Sequence, residues 1–271
     1  MIEMIFSGNT GPITLPDSTT TVTGEIIFDS AAGEQSWVVP TGVYDIQAVL
    51  IACGGVGLSS KTANGGRGGD LRWINRLAVT PGETLLISAP NQDTVMAYIK
   101  RGTTILIQAR GGRIETASTA VRPPYIGGGN GGLGGVADIA SNTPGGGGGA
   151  AGYSGDGGQG GTGSLIPGSP GNGGGGGGGV GWTFNSQKYG GGGGGIGLFG
   201  EGANGQPGTY NPTGGANTGG LAGSGGGDAS SGTGGKYGGG AGSGSANTYG
   251  RGAVRIIWGG NRSFPNNAAK I

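Results

Sequence analysis

Histidine is absent from the 271 residues, and with it go the commonest general base and the commonest metal ligand. A Ser-His-Asp site is therefore impossible within one chain. The single cysteine, Cys53, excludes an intrachain disulfide, and its place after an apolar strand marks it as a small core residue. Charged residues make up only 11% and the formal net charge is +1, so there is no electrostatic footprint for nucleic acid or an anionic membrane. No apolar run approaches the ~20 residues of a membrane-spanning helix. The opening stretch, MIEMIFSGNTGPITLP, lacks the basic and long apolar regions of a secretory signal. Helical periodicity is not found anywhere. An enzyme is not expected, nor is a cofactor or a bound metal.

What the chain has instead is glycine, 76 residues of it. Most lies within 125–250, as runs such as GNGGGGGGGVG and YGGGGGGIGLFGEG. Gly-rich sequence is by default flexible coil, and ordering glycine costs more backbone entropy than ordering any other residue. Three features point to order here. Apolar and aromatic residues punctuate the runs: Leu133, Val136, Ile139, Val180, Trp182, Phe184, Ile196, Leu198, Phe199, Leu221 and Tyr237. The inserts carry reversal chemistry, such as Asn211-Pro-Thr-Gly and Gly205-Gln-Pro-Gly. A strong strand, Ala253-Val-Arg-Ile-Ile-Trp258, follows, so the segment is enclosed between folded parts. An ordered glycine run has one natural geometry, the left-handed threefold helix of polyproline II, rising about 3.1 Å per residue. The expectation is an antiparallel bundle of such polyglycine II helices within one chain, bonded N–H to C=O between neighbours, with the apolar residues on its flanks.

Outside the glycine segment the chain reads as strands. They are expected at 25–28, 35–39, 43–52, 70–79, 84–88, 94–99, 103–108 and 253–258. Thr80-Pro-Gly-Glu83 is a tight turn, and Lys100-Arg-Gly102 joins two strands as a hairpin. The expected fold is all-β: a jelly-roll-like β-sandwich with a large inserted polyglycine bundle. The expected divisions are an N-terminal arm at 1–24, a sandwich at 25–124 and 251–265, and the insertion at 125–250. The glycine-rich excursion at 54–69 is expected to join the bundle from another edge. The apolar knot Ile2, Met4, Ile5 and Phe6 either packs on its own body or docks into a neighbour.

Residues with binding chemistry are few. A G-x-G-x-x-G match means nothing in a chain this rich in glycine without a strand-to-helix setting. Gly223-Ser-Gly-Gly-Gly-Asp228 comes near a calcium β-roll repeat but lacks tandem copies. Trp37, Trp73 and Trp258 lie in strands and belong to the core. Trp182, Phe184, Tyr189, Tyr210 and Tyr237 lie in or beside glycine reversals, with Tyr249 close by. Each either caps the bundle against water or offers its ring to a carbohydrate; such loop aromatics are the candidate receptor-facing residues.

Three stretches resemble a known pattern. Trp37-Val-Val-Pro-Thr-Gly-Val43, then a strand into Cys53-Gly-Gly-Val-Gly, then Leu77-Ala-Val-Thr-Pro-Gly-Glu83, resembles the order of motifs in glycine-rich tail and fibre proteins of tailed bacteriophages. Gly250-Arg-Gly-Ala-Val-Arg-Ile-Ile-Trp-Gly-Gly-Asn-Arg-Ser-Phe-Pro265 is similar to the closing segment of virion structural proteins, particularly those of phages of marine cyanobacteria. Gly194-Gly-Ile-Gly-Leu-Phe-Gly-Glu-Gly202 is similar to an element that precedes it. The resemblance spans 25–265. It implies a virion structural protein of the tail, assembled in the host cytoplasm: a fibre, tail tip or baseplate appendage presenting loops for host attachment. Its implied partners are other virion tail proteins, further copies of itself, and a host cell-surface glycan or protein. Two other readings stay open. One is a purely architectural baseplate, neck or capsid-decoration protein; the other is a secreted ice-binding protein.

Overall fold

The computed structural model describes residues 22–29, 33–58, 63–113, 127–141, 143–163, 166–181, 190–209, 218–230, 232–244 and 248–270. These contain eight strands and no α-helix. The strands are β1 (Gly24–Phe28), β2 (Glu34–Val38), β3 (Asp45–Ile51), β4 (Leu71–Ala78), β5 (Thr84–Ser88), β6 (Ala97–Arg101), β7 (Thr104–Ala109) and β8 (Ala253–Trp258). All eight expected strands are present, and the all-β class holds. The largest shift is at β6, which starts three residues later than its predicted position and takes in Lys100 and Arg101. The reversal there falls on Gly102 and Thr103, with Gly102 at φ +56°, a conformation that glycine adopts without strain.

The strands form two four-stranded antiparallel sheets, in the orders β1-β8-β3-β4 and β2-β5-β6-β7. Period-two alternation sends one side of each strand inward. In the second sheet Trp37, Leu85, Ile87, Ile99 and Ile107 point one way. In the first sheet Phe28, Ile46, Leu50, Val254 and Ile256 join them in a single buried cluster. Trp37 and Trp258 meet there at 5.6 Å between ring centroids.

The other face of the first sheet is buried as well. Val49 and Ile51 of β3, Leu71 and Trp73 of β4, and Ala253 and Ile257 of β8 pack against Ala150, Ala151, Tyr153, Ile196 and Leu198 from the glycine segment. Hence β3 from Ala48 onward, and β8 apart from Arg255, read as apolar runs covered on both sides rather than as alternations. A bulge sits opposite Gln47, where Ile46 pairs with Leu77 but Ala48 pairs with Ile74. The extra residue changes the phase of β4, so Ile74 and Leu77 both serve the first cluster while Trp73 serves the second.

The glycine runs are ordered through backbone hydrogen bonds that repeat every three residues. Gly145, Gly148 and Ala151 donate to the carbonyls of Ala63, Gly66 and Gly69. Gly146 and Gly149 donate to Gly161 and Gly158, and Gly147 and Ala150 donate to Gly191 and Gly194. The carbonyls keep the same period. Gly145 and Gly148 accept from Ser243 and Gly240, Gly146 and Gly149 from Gly135 and Gly132, and Gly147 and Ala150 from Gly179 and Gly176. One run thus bonds to six others, three through its N–H groups and three through its carbonyls, and few of its backbone groups are left without a partner. The run at 190–197 sits in a comparable shell, with 192 and 195 donating to Ser230 and Gly227 while accepting from Gly220 and Gly223.

Two expectations about this body are corrected. Its neighbours are not all antiparallel: 63–69 and 191–194 ascend alongside 145–151, whereas 132–135, 158–161, 176–179 and 240–243 descend. Donors and acceptors placed every third residue around a bare backbone serve a neighbour running in either direction, so direction is not constrained as it is in a hairpin. Nor do the apolar residues all lie on outer flanks. Val180, Ile196 and Leu198 are buried, Ile196 and Leu198 against the sheet, while Leu133, Val136 and Ile139 are exposed on one side of a single run at a spacing of three. The excursion at 54–69 does join the lattice, and its 63–69 part borders the central run directly.

Two buried polar side chains lock the lattice to the sheet. The hydroxyl of Tyr153 donates to the Gly197 carbonyl at 3.0 Å and accepts from the Gly200 N–H at 3.2 Å. Its ring stacks on Phe264 at 6.0 Å, and its carbonyl accepts from Trp73 Nε1 at 2.8 Å. Burial pushes the Tyr153 hydroxyl pKa far above its usual range. Arg255 of β8, fully buried, donates from Nη2 to Glu25 at 2.6 Å and to the Ala269 carbonyl at 3.1 Å. Its Nη1 reaches the Leu198 carbonyl at 3.0 Å and also the Ala268 carbonyl.

Candidate functional site

The edge of the first sheet meets the lattice at an open groove of about 470 Å³. Strand β1 forms one wall. Among the described residues it pairs with β8 alone and forms an edge of the sheet. Alternation puts Glu25 and Ile27 on the lattice side, and Ile27 lies opposite Arg255. Arg255 in turn fixes the other wall. Its guanidinium lies 4.5 Å from the centre of the Phe199 ring, a cation–π distance, while it holds the Leu198 carbonyl. Phe199 keeps 43% of its surface exposed.

Tyr237 closes the groove. Its backbone exchanges two hydrogen bonds with Ile196, at 2.9 and 3.3 Å. Its hydroxyl donates to Asp29 Oδ2 at 2.9 Å, and Lys236 Nζ sits 3.2 Å from the same oxygen and 4.5 Å from the centre of the Tyr237 ring. Burial pushes the Tyr237 hydroxyl pKa up, and the bond to that hydroxyl raises the Lys236 ammonium. At neutral pH the hydroxyl is therefore protonated and the ammonium charged. Asp29 and Lys236 also border a second, smaller groove of about 290 Å³ with Tyr249 and Arg251, so this ion pair forms the ridge between the two.

The chemistry on offer is recognition. Two aromatic faces, Phe199 and Tyr237, stand beside a carboxylate and an ammonium that can each hydrogen-bond a hydroxyl-rich ligand. Among the described residues no group of three or more Cys, Asp or Glu side chains could hold a metal ion, and no helix is long and apolar enough to cross a membrane.

Of the receptor-facing residues expected from sequence, Tyr237 lines this groove. Trp182, Phe184, Tyr189 and Tyr210 lie outside the described residues, as does the arm with Ile2, Met4, Ile5 and Phe6. Tyr249 borders the smaller groove, with its hydroxyl 3.2 Å from the Asn91 carbonyl. Sequence reasoning noted Phe199 as an apolar interruption and as part of the 194–202 element, not as a site residue, and passed over Lys236 and Asp29. The signal for Lys236 was its adjacency to Tyr237 within a glycine run; Asp29, more than two hundred positions away, carried none. Neither any protein-family model nor any curated protein matches this chain.

Proposed function

We propose that the chain is a structural protein of a bacteriophage tail, a fibre, tail tip or baseplate appendage, and that it contributes to host-surface attachment. The two sheets are read as a jelly-roll-like sandwich. In support, β2 crosses to the second sheet, and β8 returns from the far end of the chain to lie between β1 and β3. The glycine runs are read as polyglycine II helices, in support of which stands the repeat of three in their hydrogen bonds.

The observation that carries the functional reading is the saturation of that lattice. A body whose central runs bond to six neighbours is stiff, and it needs few charged side chains to hold its shape. Such a body suits a particle that works outside a cell and must present short loops at a fixed position. The groove between Phe199 and Tyr237 is where the lattice offers rings to a partner, and a host glycan is the ligand class that rings flanked by Asp29 and Lys236 suit best.

Purified protein added to host cells tests this. It should adsorb to them and slow phage adsorption, and Tyr237→Ala should weaken both effects. Failure to adsorb, with antibodies to the chain still decorating the tail in electron micrographs, would leave the architectural role alone. Failure to decorate the tail at all would reject the reading.

A further inference from the structure

A third groove, of about 650 Å³, is lined by Asn64 and Arg67 of the excursion together with Arg110, 130–134 and Asp156, and is built from different chemistry. At its base is Asp70, fully buried. Three guanidinium groups converge on this one carboxylate: Arg67 Nη2 at 2.8 Å, Arg72 Nη2 at 3.3 Å and Arg110 Nε at 3.2 Å. The Gly131 N–H adds a fourth bond at 3.1 Å. One negative charge thus meets three positive ones in a largely dry setting. Asp156, exposed at the mouth, offsets one of the two that remain.

Arg72 is committed to this base. It also donates to the carbonyls of Leu71 and Gly129 and to Asn130 Oδ1. Arg67 and Arg110 are not so committed, and both line the groove. Arg67 uses Nε for the Gly131 carbonyl and Nη2 for Asp70. Arg110 uses Nε alone. Arg67 Nη1 and both Nη nitrogens of Arg110 therefore have no hydrogen-bond partner among the described residues, although their side chains are only 17% and 19% exposed. These nitrogens are not sealed from solvent, so an anionic group that reaches the groove can take them in charge-assisted hydrogen bonds.

The rest of the lining says what that would be. Asn64, Asn130 and Gln159 supply amides, which both donate to and accept from hydroxyl groups. Leu133, 59% exposed, supplies an apolar wall for the C–H face of a ring. Asp156 accepts hydroxyl donors and repels polyanions. We propose that this groove binds a saccharide that carries a carboxylate, with the carboxylate on Arg67 and Arg110 and the ring hydroxyls on the amides and Asp156. The planar fork of a guanidinium matches a carboxylate with two parallel hydrogen bonds. This site does not share residues with the Phe199–Tyr237 groove and stands whether or not the chain belongs to a virion.

Titration calorimetry of the purified chain with 3′-sialyllactose, trigalacturonate, lactose and acetate tests it. At least one of the two acidic saccharides should bind saturably and more weakly as salt rises. Lactose and acetate at equal concentration should not bind. Arg110→Gln should weaken binding roughly tenfold or more, the loss expected for hydrogen bonds to a charged group. That variant also touches Asp70, so two others leave the buried cluster whole. Gln159→Glu should weaken binding about threefold, and Asp156→Asn, which keeps the oxygen that accepts from the Asn130 N–H at 2.7 Å, should strengthen it about threefold. The proposal is overturned if neither acidic saccharide binds, if lactose or acetate binds as tightly, or if the two mouth variants leave the affinity unchanged.

Discussion

Placing one methyl group at Gly149 probes how tightly the lattice is closed. A Cβ built there would lie 2.5 Å from the carbonyl carbon of Gly176 and 2.8 Å from the carbonyl oxygen of Gly177, and closer still to the Gly176 oxygen. Ordinary contact starts near 3.4 Å, so the two runs would have to part by roughly 1 Å. Parting them strains the bond from Gly176 N to the Ala150 carbonyl at 3.0 Å and those of Gly149 with Gly158 at 2.8 Å and with Gly132 at 2.9 Å. Three weakened bonds at about 1 kcal/mol each and overpacking of about 1–3 kcal/mol oppose a gain of about 0.4–1 kcal/mol from a stiffer unfolded chain. The net cost of Gly149→Ala should be about 3–5 kcal/mol, or a Tm lower by roughly 6–20 °C for a chain of this size. Gly82→Ala is the control. Gly82 has φ +84° and nothing within 4 Å of its would-be Cβ, so only backbone strain of about 1–2 kcal/mol applies. Urea unfolding of both variants measures the difference. If Gly149→Ala costs no more than Gly82→Ala, the runs are not packed backbone to backbone.

Two further outcomes are expected. Burial pushes the Cys53 thiol pKa from 9.0 up to about 12, with Sγ donating to the Pro90 carbonyl at 2.7 Å. Between those values the unfolded chain gives up a proton that the folded chain keeps. The stability this thiol contributes is thus intact below about pH 9 and falls by about 1.4 kcal/mol per pH unit above it. Urea midpoints of the protein and of Cys53→Ala, compared from pH 8 to 11, should converge as pH rises; parallel profiles would refute the shift. Tyr153→Phe should cost about 1–3 kcal/mol, because the Gly197 carbonyl and Gly200 N–H both lose a buried partner. Calorimetric melting checks this, and an unchanged Tm would mean water replaces the hydroxyl.

The strands were legible because each carries its own signal. The continuously apolar end of β3 marked it as a core strand, although only the structure shows that its second face is covered by glycine lattice. The order of the glycine runs was legible only as a class. Gly149 and Gly157 look alike in sequence, yet Gly149 belongs to the central run and Gly157 to one of the six around it, because position in a lattice depends on which runs happen to be neighbours. Tyr237 could be singled out from its setting within a reversal. Its partner Asp29 could not, and neither could the Arg67, Asp70 and Arg110 constellation, whose members gain meaning only when the bulged β4 and the end of β7 bring them together. Tyr153, which anchors lattice to sheet, carries no signal of that role in the sequence around it.

The position of β8 has a consequence for how the chain can be made. Its partners are β1 and β3, and among the described residues β1 pairs with no other strand. About two hundred residues separate the end of β3 from the start of β8, and at 5–20 residues per second a ribosome needs roughly 10–40 s to cross that interval. Throughout it, β1 lacks its β8 mate and β3 shows an open, apolar edge in the middle of an unfinished sheet. The glycine segment emerges during this wait with its eventual floor incomplete. Closure of the first sheet therefore waits for β8, a six-residue strand that enters the slot between β1 and β3, and translation that stalls before it leaves an exposed edge ready to pair with another unfinished copy.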